Sequence, residues 1–262
     1  MPLNLEDNRL DLIAKIGKRV DEKLSAQDAT QVKEFLQQYY LGVSSYDLRN
    51  KSILDLYGAL ISHWHFIQHR MPGESKIRVY NPQLEQHGWQ SSHTVIEVVH
   101  ENKPFILDSL RLALNRLEIN IHLIIHAEGV RFVRDEQGMV QEVVPVDPTM
   151  KAKTKSKAIA EAPIYIEIDR QSDAATLDKI AKTLGKILQD VDIIVRDWPQ
   201  MLDRVKQAIE QLEQVTSPTH VERIPEIIAF IRWLAANHFT FIGYAEYELT
   251  TGAKATITLK YI

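Results

Sequence analysis

The chain has 262 residues, enough for one large domain or two ordinary ones. Apolar residues make up 45% and charged residues 25%, the balance of a water-soluble globular protein. The formal charge of −4 gives no general attraction for nucleic acid, the lack of cysteine excludes disulfides and thiolate chemistry, and no apolar run approaches the roughly 18 residues of a membrane helix.

The opening "MPLNLEDNRLDLIAKIGKRV" is polar and mixed in charge, unlike a signal peptide, so the cytoplasm is the expected compartment. Leu10, Ile13, Ile16, Val20 and Leu24 follow at helical spacing. A second helix is predicted over "SAQDATQVKEFLQQYY", with Asp28 or Thr30 as its N-cap. A third, nearly continuous one runs through "YDLRNKSILDLYGALISHWHFIQHR", giving a helical segment over residues 1–72.

The period then changes. "SKIRVYNP" and "HTVIEVVH" read as strands, "KPFILDSLRLALNRLE" as an amphipathic helix with Pro104 in its first turn, and "INIHLIIH" as a strand. "VRFVRDEQGMVQEVV" reads as a hairpin turning at Glu136 to Gly138. "APIYIEIDR" is an alternating strand and "SDAATLDKIAKTLGKILQDVDIIV" a long helix. This order predicts an α+β sandwich over residues 73–198, an antiparallel sheet with helices on one face. Beyond Trp198-Pro199, residues 199–262 offer a new helix, a break at "SPTH", a helix opened by Pro225 and two strands joined at "TTGA", the start of a second α/β element.

Parity assigns the sheet's faces. Ile96, Val98, Ile121, Leu123, Ile125, Ile164, Ile166 and Ile168 are expected under the helices. The opposite parity gives Glu97, His122, His126, Tyr165, Glu167 and Asp169. The histidines and carboxylates of that polar face suit a metal or acid/base site, or an interface that buries them as satisfied pairs. The interface is the reading adopted.

Other chemistry is thin. His65 and His69 share a helix face with a metal-compatible spacing, His63 nearby, but no Glu lies between them and no third ligand is indicated; packing or surface roles are expected. Ser92, His93 and Asp108 supply triad residue types, yet strand alternation is expected to hold Ser92 and His93 apart. The ten glycines form no GxGxxG or Walker loop. The run "MKAKTKSK", with Lys151, Lys153, Lys155 and Lys157, reads as a solvated loop. No catalytic, cofactor-binding or metal-binding residue is assigned.

The segment "IRVYNPQLEQHGWQSSHTVIEVVHENKPFILDSLRLALNRLEINIHLIIH" closely resembles the N-terminal region of the large-subunit class of bacterial NAD-dependent glutamate dehydrogenases. "VKEFLQQYYLGVSSYDL" and "DLYGALISHWHFIQHR" before it, and "IYIEIDR", "DVDIIVRDWPQM" and "WLAANHFTFIGYAEYEL" after it, resemble that family in the same order. The resemblance implies a non-catalytic regulatory and assembly region with an ACT-like, ferredoxin-type βαββαβ fold. It implies further domains of the same polypeptide, a homo-oligomer and an amino-acid effector as partners, with NAD bound elsewhere in the parent enzyme. A free-standing ACT-like amino-acid sensor is the alternative. In ACT domains the effector commonly meets the loop between the first strand and first helix, here "HENKPFILD", so His100, Glu101, Asn102 and Lys103 are the candidate effector residues. The family has a Pro-Gly pair there; this chain carries Phe105 in place of the glycine, which leaves less room for close backbone approach.

Overall fold

Serine hydroxyls set the starts of the N-terminal helices. After α1 (Leu5–Lys23), Ser25 caps α2 (Ala26–Leu41), Ser44 caps α3 (Ser45–Leu48) and Ser52 caps α4 (Ile53–Ile67), each accepting from a backbone N–H of the first turn. The cap of α2 is therefore Ser25, not Asp28 or Thr30. The helix expected to run through residues 46–70 is broken, because Ser52 satisfies the Asp55 N–H and starts a new helix. Asp28 and Asp55 lie in the first turns they help to stabilise, as the helix dipole favours.

The computed structural model describes residues 5–49, 51–145, 157–214, 223–250 and 256–261. The lysine run before Lys157, the "SPTH" break and the "TTGA" turn after Thr250 lie outside the described residues. The chain divides into two units, residues 1–189 and 190–262.

In the first unit the strands are β1 (Lys76–Tyr80), β2 (Thr94–Glu101), β3 (Ile121–His126), β4 (Val130–Arg134), β5 (Val140–Val144) and β6 (Ala158–Ile168). Short α5 (Leu84–His87) joins β1 to β2, and α6 (Ile106–Arg116) joins β2 to β3. All pairings are antiparallel, in the order β1-β2-β6-β4-β5, with β3 also on β6. The long strand β6 pairs with β2 on one side; on the other, β3 and β4 divide its length between them. The β4–β5 turn needs Gly138: its φ is +80°, and a Cβ there would sit 2.6 Å from the Arg70 carbonyl oxygen.

Each sheet face has its own cover. Ile96, Val98, Ile164, Ile166 and Ile168 are fully buried on one face, as are Ile106, Leu110 and Leu114 of α6 and Leu184 and Leu188 of the following helix. On the other, Val95, Val99 and Tyr165 join one core with Phe35, Leu36, Tyr39, Tyr40, Leu60 and Ile67 of the N-terminal helices. Leu123 and Ile125 also lie in that second core, contrary to expectation. A bulge between Ile121 and Leu123 shifts the register, so Leu123 pairs with Glu167 and Ile125 with Tyr165. One extra residue moves every later side chain to the other face.

The last long helix, α7 (Ala174–Glu213), passes through Pro199, where a new helix is expected from the sequence. In the second unit its C-terminal half is followed by α8 (Ile224–Trp233), a π-helical turn (Leu234–His238) and an antiparallel pair, β7 (Glu246–Thr250) and β8 (Thr256–Tyr261). Pro225 sits in the first turn of α8, as predicted. Among the described residues no helix is long and apolar enough to cross a membrane.

Candidate functional site

The polar sheet face lies under the N-terminal helices, and its acids are paired there. Glu97, at 0% exposure, accepts from Arg78 Nε at 2.9 Å, from a second Arg78 nitrogen and from the Tyr80 hydroxyl at 3.1 Å. Burial raises the Glu97 carboxyl above its usual range, although Arg78 pulls it down. Glu161, also at 0%, is shared by two guanidiniums: Arg70 at 3.0 Å, and Arg134 in a two-pronged contact at 2.7 and 2.9 Å. Arg134 further donates to the carbonyls of Ile67, Gln68 and Gly138, tying the end of α4 to the β4–β5 turn.

His63 of α4 is fully buried. Its Nε2 lies 3.2 Å from the Val98 carbonyl and its Nδ1 2.9 Å from the Tyr39 hydroxyl. A carbonyl can only accept, so Nε2 carries the proton and Nδ1 receives the tyrosine's. Burial pushes this imidazole down to about 3, so it is neutral at ordinary pH. Burial raises the hydroxyls of Tyr39, Tyr40, Tyr80 and Tyr165, which stay protonated as donors.

Glu167 anchors a second group at the start of β2. Its Oε1 accepts from Tyr165 at 3.0 Å, and its Oε2 meets the Lys51 ammonium and, at 3.4 Å, His93 Nδ1. The His93 ring lies 4.5 Å from that of His122, which contacts Asp169 at 2.6 Å; Asn120 holds the same carboxylate at 2.7 Å. These hydrogen bonds lower the Asp169 carboxyl. Burial lowers the His93 imidazole, with Glu167 opposing and Lys51 and His122 reinforcing the shift. Beside this group opens a cleft of about 1130 Å³, lined among others by Lys51, Trp89, Ser92, His93, Glu167 and Arg170.

The structure thus brings His122, Tyr165, Glu167 and Asp169 together, places Glu97 in a separate group with Arg78, and sends His126 elsewhere. His126 pairs with Ile164, on the face opposite Tyr165, because of the bulge in β3. Its buried Nε2 has no hydrogen-bond partner among the described residues, and burial lowers its pKa. Ser92 and His93 do touch, at 3.3 Å, since both precede the first residue of β2 and strand alternation does not govern them. Asp108 of α6 is not part of that contact. Lys51 and Arg170 were not singled out by the sequence reading; the Ser52–Asp55 capping pattern is the signal that puts Lys51 in a break between helices.

Of the expected loop residues, His100 and Glu101 are instead the last two of β2, paired with Ala162 and Glu161. His100 is buried with Nδ1 2.8 Å from the Glu101 carbonyl, and beyond the strand the Asn102 N–H donates to Ala160 O at 2.9 Å. Glu101 accepts from the Gly73 N–H at 3.2 Å and pairs with Lys103 at 3.6 Å. Phe105 adopts φ +69°, the left-handed conformation glycine favours, at the N-cap of α6. Among the described residues no group of three or more His, Asp or Glu side chains is placed to hold a metal ion.

An antiparallel sheet with helices α6 and α7 over one face and an N-terminal helical layer over the other is an α+β, ACT-like domain. Residues 35–184 match the family model described as glutamate dehydrogenase, ACT1 domain, and the chain belongs to that family. It is 39% identical over 246 residues to the NAD-specific glutamate dehydrogenase of Halomonas elongata, covering 93% of this chain and 15% of that protein. It is 30% identical over 246 residues to the NAD-specific glutamate dehydrogenase of Pseudomonas aeruginosa, covering 94% and 15%. The chain therefore spans about 15% of the length of these relatives.

Proposed function

We propose that this chain is a non-catalytic regulatory and assembly region of a cytoplasmic NAD-dependent glutamate dehydrogenase. The parent reaction converts glutamate, NAD and water to 2-oxoglutarate, ammonium and NADH, with NAD held by other parts of the polypeptide. The similarity to two NAD-specific glutamate dehydrogenases supports the parent's identity. The observation that carries the assembly role is the apolar surface of the second unit. Phe230, Trp233, Phe239 and Ile242 are between 50% and 71% exposed there, and the rings of Phe230 and Trp233 stack at 6.0 Å. Clustered exposed aromatics mark surfaces that another domain or subunit covers. The partners on this reading are the remaining domains of the parent, further copies of the enzyme and an amino-acid effector, with no nucleic acid and no membrane.

Two measurements test it. An antibody to this segment should detect a band several times larger than 30.1 kDa in the native host's lysate. A band at 30.1 kDa would instead mean a free-standing sensor or adaptor and would overturn the parent-enzyme reading. Deleting residues 1–262 from the parent enzyme should change its mass by light scattering or its response to amino acids. A truncated enzyme with the same subunit number and the same amino-acid response would remove both roles.

A further inference from the structure

The cleft at the start of β2 leaves the Arg170 guanidinium with donors that no side chain among the described residues takes up. The Arg170 guanidinium donates one bond, to the Ser91 carbonyl at 2.9 Å, and has no carboxylate partner among the described residues. The Ser91 hydroxyl accepts from the His93 N–H at 3.0 Å, so one residue ties Arg170 and His93 to the same wall. His93 turns Nδ1 toward Ser92 and Glu167, and its Nε2 makes no hydrogen bond among the described residues. Trp89 is 7% exposed and its buried Nε1 has no acceptor among the described residues. Its ring is fixed against α4: a Cβ on Gly58 would fall 2.6 Å from Trp89 Cβ.

Glu167 does not neutralise this excess. Its two oxygens are already engaged by Tyr165, Lys51 and His93, so the charge of Arg170 is left over. The carboxylates of Asp55 and Glu85 also line the cleft, apart from those bonds. We propose that the cleft binds a small organic anion, its single carboxylate or phosphate group held by Arg170 and its body resting toward Trp89. The volume of about 1130 Å³ lies just above the roughly 300–1,000 Å³ usual for small-molecule sites, large enough for a body as well as a charged group. The acidic side chains disfavour polyanions and leave room for a cationic group on the ligand. This site lies at the start of β2, whereas residues 100–103 form the end of that strand and the turn after it. The inference concerns occupancy of the cleft alone and holds whether or not binding is transmitted to the parent enzyme.

The test is calorimetric titration of the whole chain with 4-aminobutyrate and with phosphoethanolamine, against potassium chloride at matched ionic strength. Saturable binding of 4-aminobutyrate identifies the carboxylate source, and of phosphoethanolamine the phosphate source. Arg170→Ala should weaken that binding about tenfold or more, as expected for loss of a charge-assisted bond. Arg170→Lys should recover part of it, and Asp55→Asn should tighten it. Arg170 is exposed, so the variant's thermal unfolding should match the wild type and show that the fold is intact. No saturable heat from either probe at millimolar concentration overturns the proposal, as does binding that Arg170→Ala leaves unchanged.

Discussion

The same strands build two faces that are buried by different means. Ile96 and Val98 on β2 and Ile164, Ile166 and Ile168 on β6 present an aliphatic surface to α6 and α7. Their neighbours Glu97, Glu161, Tyr165 and Glu167 are equally buried beneath the N-terminal helices. The aliphatic face needs only shape; the polar face needs a partner for each charge, supplied by Lys51, Arg70, Arg78 and Arg134. Two of those four cations, Lys51 and Arg70, lie just before and just after α4 in the helical layer, while Arg78 and Arg134 come from the neighbouring strands β1 and β4. The polar face therefore specifies which layer covers it, whereas an aliphatic face accepts any apolar helix.

The largest effect expected from this difference is at Glu161. Glu161→Gln leaves Arg70 and Arg134 facing a neutral amide in a site with no water access, and should cost about 3–5 kcal/mol in urea unfolding. On the aliphatic face Ile166→Ala should cost about 3 kcal/mol through lost transfer energy and a cavity. If Ile166→Ala proves much the more damaging, the ion pairs contribute little and the two faces are energetically alike.

Element types were largely legible from the sequence, because period-2 and period-3.6 patterns decide them locally. Places where one residue changes the outcome were not. The bulge at His122 is invisible to alternation, and without it Leu123, Ile125 and His126 are assigned to the wrong faces. Ser52 looks like an ordinary mid-helix serine until its hydroxyl is seen to cap, and so Lys51 escaped notice as the partner of Glu167. Parity correctly set Glu97, Tyr165 and Glu167 on one face, yet it could not show that Glu97 and Glu167 belong to separate groups. That depends on which residues of the helical layer approach them.

A third measurement separates the faces by pH. The unfolded chain protonates His63 near its ordinary value of 6.5, whereas the folded chain holds it neutral down to about 3. Between those values the unfolded state binds the extra proton, so stability is full above 6.5 and falls as the pH drops. Between pH 7 and pH 5 this amounts to about 2 kcal/mol. His93 and His126, also lowered by burial, act in the same direction, while Glu97, raised, acts oppositely. Comparison with His63→Gln isolates the one group: the variant should lose about 2 kcal/mol less than wild type over that interval. Parallel pH profiles for the two proteins would mean that His63 is not held neutral between Tyr39 and Val98.

The smallest effect concerns Phe105, where sequence and backbone disagree. Its φ of +69° belongs to glycine, and its ring is 44% exposed, so it gains little burial in exchange for the strain. Phe105→Gly relieves the backbone but frees the unfolded chain, and the two together should stabilise by about 0.5–1 kcal/mol. Phe105→Ala keeps a Cβ in the same strained conformation and should gain nothing. The difference between the two variants therefore measures the strain less the extra unfolded-chain entropy of glycine, with the loss of the ring common to both. Equal stabilities would show that the turn into α6 relaxes around any side chain. A gain confined to glycine would show that the loop keeps its glycine-like path whatever residue occupies it, fixed by the Asn102–Ala160 hydrogen bond on one side and the buried start of α6 on the other.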